Sequence, residues 1–221
     1  METEPLRYSA RSGCNFFVTV NQSPNGRLFG TRRREHYFTM SNSNISYPIR
    51  RARFDEMQLL LEIESAAGSM FSGLGIVDEA LDQPFPLDKL HTLVLSGQVW
   101  VCCREDDTPV GMAIASVWGK TIYIEEMDVL PSHGRRGLGT RLLRHVCSWA
   151  KSQGGRAVLL STFRDVPWNG PFYKKNGFRE LSPKHCTKRL RSIRENERRC
   201  GLSVDARVFM RLDLSSFRED L

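Results

Sequence analysis

Glu125 and Glu126 stand side by side in the run Tyr123-Ile124-Glu125-Glu126-Met127-Asp128-Val129-Leu130-Pro131, and Gly134-Arg135-Arg136-Gly137-Leu138-Gly139-Thr140 follows almost at once. The first run reads as a strand carrying two carboxylates, the second as a glycine turn opening a helix. Such a turn offers backbone N–H groups and the positive end of a helix dipole to an anion. Here the amides of Arg135 through Thr140 could meet a phosphate or pyrophosphate, with Arg135 and Arg136 adding charge. Glycine at 137 and 139 lets a ligand approach the backbone where a Cβ would block it. An anion cradle next to a proton acceptor points to an enzyme rather than a plain binding module. The plainer readings are an ordinary strand-to-helix turn, and two glutamates of which one is solvated and the other pairs with an arginine. Neighbours on an unbroken strand face opposite sides, so at most one of Glu125 and Glu126 should face a reacting centre unless a bulge intervenes.

Two nucleotide motifs are excluded. In G-x-G-x-x-G spacing the third glycine would fall at Leu142, and no Gly-Lys-Ser/Thr completes a P-loop. The five histidines are scattered without metal-ligand spacing, so no metal is expected. The six cysteines include no C-x-x-C pair, and Cys102 and Cys103 are strand neighbours that cannot readily share a ligand. Reduced thiols in a cytoplasmic protein are the expectation.

The elements that must position these groups follow from periodicity and turn signals. Ile45–Phe54 reads as a strand. Asp55 and Gln58, in capping-box spacing, open a helix from Glu56 to about Ala67. Glu64 falls on the apolar side of that helix. It either lines an amine pocket or sits at a fraying end, the latter being preferred. A second helix is expected over Leu87–Leu95. Val99–Glu105, Val110–Trp118 and Thr121–Leu130 read as an antiparallel meander joined by tight turns. Arg136–Gln153 carries an apolar stripe at Leu138, Leu142, Val146 and Ala150. The strand Ala157–Phe163 after it implies a parallel β-α-β crossover. A short helix over Trp168–Lys175, a strand over Phe178–Leu181, a charged helix over Thr187–Arg199 and a last strand over Arg207–Leu214 complete an α+β fold, a mixed sheet flanked by helices. Lys184–Arg199 is expected to present a solvated face.

The chain of 221 residues suits one domain, here 45–215, with a tail at 216–221. Residues 1–44 read as a basic, disordered extension, and Met40 could be a functional start. They carry no secretory signal, because no apolar core segment lies in residues 1–30. The net charge of +7 is modest and suits an anionic cofactor as well as it suits nucleic acid, so neither nucleic acid nor membrane is expected as a partner.

Residues 121–178 resemble the GNAT superfamily of acetyl-CoA-dependent N-acetyltransferases. Val129-x-Pro131, Gly137-x-Gly139 and Leu142-Leu143 are similar to its acyl-CoA motif, and Phe172-Tyr173-Lys174-Lys175-Asn176-Gly177-Phe178 resembles its later Tyr-x-x-x-Gly-Phe segment. Gly134 replaces the Gln or Arg usual in the family. Asn169 lies four residues before Tyr173 rather than seven, with Pro171 between, so the helix there should be a turn shorter.

The resemblance implies a GNAT-like, mostly antiparallel sheet with a β-α-β acyl-CoA unit, and acetyl-CoA as cosubstrate. Met127, Val129, Arg135, Arg136, Gly137, Leu138, Gly139, Thr140 and Asn169 would contact it. A strand N–H aimed at the thioester oxygen would stabilise developing charge. An ammonium must lose a proton before it attacks. By the resemblance Glu125 takes that proton through water, Glu126 holds the amine, and Tyr173 protonates the leaving thiolate. The acceptor implied is a small primary amine, attacking directly in a ternary complex, in a monomer or homodimer. The alternatives are a protein or peptide acceptor, or a non-catalytic acyl-CoA-binding module.

Overall fold

The computed structural model describes residues 46–78 and 83–218. The expected extension over residues 1–44 lies outside the described residues. The sheet has seven strands: β1 (Ile49–Arg51), β2 (Val99–Cys103), β3 (Pro109–Trp118), β4 (Thr121–Val129), β5 (Ala157–Phe163), β6 (Arg179–Glu180) and β7 (Arg207–Asp213). Their order is β1-β2-β3-β4-β5-β7-β6. Every neighbouring pair is antiparallel except β4–β5, which is parallel. A parallel pair needs a crossover, and α3 (Leu138–Ser152) supplies it. The α+β expectation therefore holds.

Each face of the sheet has its own cover. α3 buries Leu138, Leu142, Val146 and Ala150 against Ala113, Ala115, Ile122, Ile124, Met127 and Val129. On the opposite face α1 (Met57–Gly68) and α2 (Leu87–Leu95) bring Leu60, Ile63, Leu90 and Leu93 onto Val99, Val101, Met112 and Ile114. Further along that face α5 (Lys188–Arg199) seats Leu190 on Tyr123, Leu159 and Phe209. Together these layers sandwich β2 to β5, which explains why β2 and β5 are buried at every residue.

Two irregularities shape the sheet. The β3–β4 register runs Ile114↔Glu126 and then Ala115↔Ile124, so Glu125 is the extra residue of a β-bulge. β4 and β5 pair only through Thr121↔Ala157, Ile122↔Val158 and Tyr123↔Leu159. Past Tyr123 the two strands no longer pair with each other. β4 stays bonded to β3 as far as Gly111↔Val129, and β5 to β7 as far as Phe163↔Arg207. A wedge thus opens between two strands that are each held on their other edge.

Several local expectations change. The first strand is three residues long, Ile49 to Arg51 paired with Cys102 to Trp100, and Ile45 lies outside the described residues. Asp55 does not cap α1. A 3-10 turn over Phe54–Glu56 precedes the helix, and the Glu56 carboxylate reaches back to accept from Arg53 N at 2.7 Å. Arg50 fixes Glu56 in that role with an ion pair at 2.6 Å. The Lys184–Arg199 segment is not simply a solvated face. Leu190 and Glu197 are buried, and Glu197 pairs with Arg207 at 3.1 Å and Arg194 at 2.8 Å. Cys102, Cys103, Cys147 and Cys186 are free thiols, but Cys200 is disulfide-bonded, which corrects the all-thiol expectation there.

Candidate active site

The bulge decides how the acids of β4 are aimed. Paired residues of adjacent strands share a face, so Glu126 lies with Ile114 and Asp128 with Met112, on the side covered by α1 and α2. Glu125 lies on the same side, because Ser116 Oγ, from the residue paired with Tyr123, donates to Glu125 Oε1 at 2.5 Å. The expectation that Glu125 and Glu126 face opposite ways is therefore overturned. In a regular strand it would hold; the extra residue puts both carboxylates on one face. All three acids, Glu125, Glu126 and Asp128, are buried.

A cation reaches this cluster from α2. Lys89 Nζ lies 2.9 Å from Glu125 Oε2 and 5.1 Å from the Phe85 ring centroid. Phe85 is fixed in turn, because its backbone N–H donates to both carboxylate oxygens of Glu64, at 3.0 and 3.1 Å. Glu64 is buried within α1, not at a fraying end, so the preferred reading of it fails. It also lines a cavity of about 480 Å³ with Leu61, Ser65, Ser69, Phe71 and Gln83. Phe71 packs on Phe163, the last residue of β5, with ring centroids 5.3 Å apart.

Tyr173 approaches from the α3 side. It sits in α4 (Gly170–Lys175), between Phe172 and Phe178 at centroid distances of 5.0 and 5.4 Å. Its side chain is fully buried, and its hydroxyl has no hydrogen-bond partner among the described residues. Burial pushes its pKa well above the usual tyrosine value, and the nearby charges of Asp128 and Glu126 push the same way. The phenol is thus held protonated close to the acids of β4. α4 has six residues, as short as the spacing of Asn169 and Tyr173 implies. Asn169 is buried at its N-cap, and Tyr173 N donates to Asn169 O at 3.0 Å. Gly170 allows this approach, since a Cβ there would lie 2.1 Å from Arg164 O.

The glycine turn closes the other end of the wedge. Gly137 takes a left-handed φ of 75° as the N-cap of α3, and nothing lies within 4 Å of where its Cβ would be. Among the described residues no side chain caps the helix, so the amides of Leu138, Gly139 and Thr140 keep their capacity to bind a ligand. Arg135 and Arg136 are exposed, and Arg136 also donates to Tyr47 Oη at 2.6 Å. On β4, Leu130 N donates to Val110 O at 2.9 Å. Backbone groups alternate along a strand, so the N–H groups of Met127 and Val129 face the wedge.

Sequence reasoning missed three residues here. Asp128 carried a signal: an acid two residues after Glu126 in an apolar strand shares its face. Ser116 and Lys89 carried none, because a register shift and a separate helix bring them in. Among the described residues no group of His, Cys, Asp and Glu could hold a metal ion.

A family model described as acetyltransferase (GNAT) family matches residues 65–178, more than half of the chain. The chain belongs to the GNAT acetyltransferase family. Solved structures share the fold of this GNAT protein at low identity. PaiA N-acetyltransferase from Thermoplasma acidophilum, in complex with coenzyme A, is 16% identical with a TM-score of 0.59, covering 76% of this chain and 99% of that one. N-acetylglutamate synthase from Neisseria gonorrhoeae, complexed with coenzyme A and N-acetyl-glutamate, is 17% identical with a TM-score of 0.56 over 76% of this chain and 35% of that one. The ribosomal-protein-S18-alanine N-acetyltransferase from Escherichia coli is 16% identical with a TM-score of 0.53 over 80% and 99%.

Proposed function

We propose that this GNAT protein transfers the acetyl group of acetyl-CoA to the primary amine of a small molecule, by direct attack in a ternary complex. The observation that carries the reading is the bulge at Glu125, which brings two buried carboxylates to one face where β4 and β5 part. The surroundings suit acetyl-CoA as the second substrate. The uncapped start of α3, with Gly137, Leu138, Gly139, Thr140 and the guanidinium of Arg135 beside it, suits a pyrophosphate. The outward N–H groups of Met127 and Val129 suit the amide-bearing arm that links pyrophosphate to thioester. Arg136 and the buried Asn169 flank this path.

The division of labour follows from the contacts. Glu125 holds an ammonium at 2.9 Å through one oxygen while Ser116 orients the other, which fits it to take the proton of a substrate ammonium. Glu126, one residue on and fully buried, holds the amine in line. Tyr173, kept protonated by burial, gives its proton to the departing thiolate. The three act within one wedge, so the amine need not leave the site between losing its proton and attacking.

Within this reading the setting is cytoplasmic; the free thiols of Cys102, Cys103, Cys147 and Cys186 accord with that, and the disulfide at Cys200 counts against it. The test is release of CoA thiol from acetyl-CoA against a panel of polyamines, arylamines, amino acids and peptides. Turnover with small amines is the expected result. Turnover with peptides alone would move the acceptor to a protein, and tight CoA binding without turnover on any amine would sink the catalytic reading.

A further inference from the structure

One primary amine of this chain already occupies the position the proposed reaction requires. Lys89 Nζ touches Glu125 Oε2 at 2.9 Å, and Glu125 lies two residues past Tyr123↔Leu159, where β4 and β5 stop pairing. The two partners differ in exposure: the lysine side chain is 35% accessible and the carboxylate 4%. The ammonium therefore sits at the mouth of the site and the carboxylate inside it. Lys89 does not swing freely. Its helix begins just after Phe85, whose N–H is clamped by Glu64, and its Nζ lies against the Phe85 ring. Holding an amine beside its base in this way converts a bimolecular step into a unimolecular one.

Other lysines are placed differently. Lys174 pairs with Glu180 on β6, and Lys151 donates to Phe217 O at the end of α3. Both have partners, but neither of those partners is an acid of β4.

We propose that Lys89 is itself an acetyl acceptor, modified by its own active site. The inference rests on the reading that Glu125 deprotonates amines for attack on acetyl-CoA. A proton passes from Nζ to Glu125 Oε2. The nitrogen lone pair forms a bond to the thioester carbonyl carbon and the C–S bond breaks; the thiolate takes the Tyr173 proton, the new amide nitrogen gives its surplus proton back to Tyr173, and Glu125 returns its proton to solvent. The net change is the lysine ammonium plus acetyl-CoA giving Nε-acetyllysine, CoA thiol and one proton, with no oxidation or reduction. The product amide carries no charge, so the ion pair to Glu125 is lost and the carboxylate is left for an incoming substrate ammonium.

The experiment incubates the full chain with acetyl-CoA and no acceptor, then maps acetylated peptides by mass spectrometry over time. Lys89 should gain one acetyl group at least tenfold faster than Lys151 and Lys174 in the same sample. Its rate per molecule should not change when the protein is diluted tenfold. E125Q should bring Lys89 down to the rate of the reference lysines. The dilution and reference comparisons use the unaltered protein, so they decide the matter even where E125Q fails to fold. Acetylation of Lys89 no faster than the references, in protein that acetylates an added amine, overturns self-acetylation and leaves the proposed function standing. A Lys89 rate that falls with dilution overturns it as well, by making the transfer intermolecular. No acetylation of Lys89 or of any added amine overturns both.

Discussion

Replacing Tyr173 by Phe removes one oxygen and leaves the ring where Phe172 and Phe178 hold it. That oxygen is buried without a hydrogen-bond partner among the described residues. A hydroxyl in that state costs about 1–3 kcal/mol in proteins. Its removal should therefore stabilise the ligand-free protein by about 1–2 kcal/mol. For a domain of this size each kcal/mol moves the melting temperature by roughly 2–4 °C, so a rise of roughly 2–8 °C is expected in a thermal scan without ligands. Activity should move the other way. A positioned acid is worth about 10²–10⁴-fold, and kcat should fall by at least the lower figure while affinity for CoA is kept. Thiol release under saturating acetyl-CoA and amine measures kcat, and calorimetry measures the melt. The two results together are diagnostic, because a tyrosine whose hydroxyl holds the structure through a hydrogen bond loses stability when it is removed, and a spectator does not lose rate. An unchanged kcat would remove Tyr173 from the chemistry. A lower melting temperature would show that the hydroxyl has a partner in solution, and the magnitude argument would fall with it.

Glu125→Gln keeps the Ser116 contact but cannot accept a proton, so kcat should drop by about 10²-fold or more and its pH dependence should shift; an unaltered pH–rate profile would assign the base elsewhere. Gly170→Ala places a methyl 2.1 Å from Arg164 O, which forces α4 outward at about 1–3 kcal/mol and should lower kcat by moving Tyr173; an equally active, equally stable variant would refute the close approach. Arg207→Leu breaks a buried pair with Glu197, whose side chain is 1% exposed. Such a loss costs about 3–5 kcal/mol, toward the lower end here because Arg194 still reaches Glu197; a melting temperature within a degree of the parent would contradict it. Burial pushes the thiols of Cys102 and Cys147 up to about 12 and that of Cys103 to about 11. In native protein near pH 8 a thiol reagent should therefore label the half-buried Cys186 well ahead of these three, and equal rates would overturn that ranking.

Much of the frame was legible because it is local. α2 and β5 fall where periodicity puts them, and α3 is shorter than expected by only a residue or two at each end. An apolar stripe repeated every four residues and a mostly apolar strand leave few alternatives at those positions. The site was legible in composition but not in geometry. Glu125, Glu126 and Tyr173 stand out by type and frame, yet their relation depends on a bulge that sequence does not mark. A bulge is a difference in residue count between two strands, and only the partner's register reveals it. Lys89 was hidden for a similar reason, since α2 is far from β4 in sequence. Glu64 was misjudged because its polarity was weighed against its own helix and not against the N–H of Phe85, which uses both its oxygens.

The parting of β4 and β5 has a consequence for how the molecule responds to force and heat. It divides the sheet into two leaves, β1 to β4 and β5 with β7 and β6, joined by three rungs of parallel ladder and by the helix laid across one face. The spine of this book is short. A substrate that bonds to the inner edge of one leaf and packs on the other acts as a rivet between them. Such a ligand binds the closed book and not the open one, so it stabilises their joint by mass action. Amides bordering the gap on β5 should then exchange their hydrogens slowly only while it is filled.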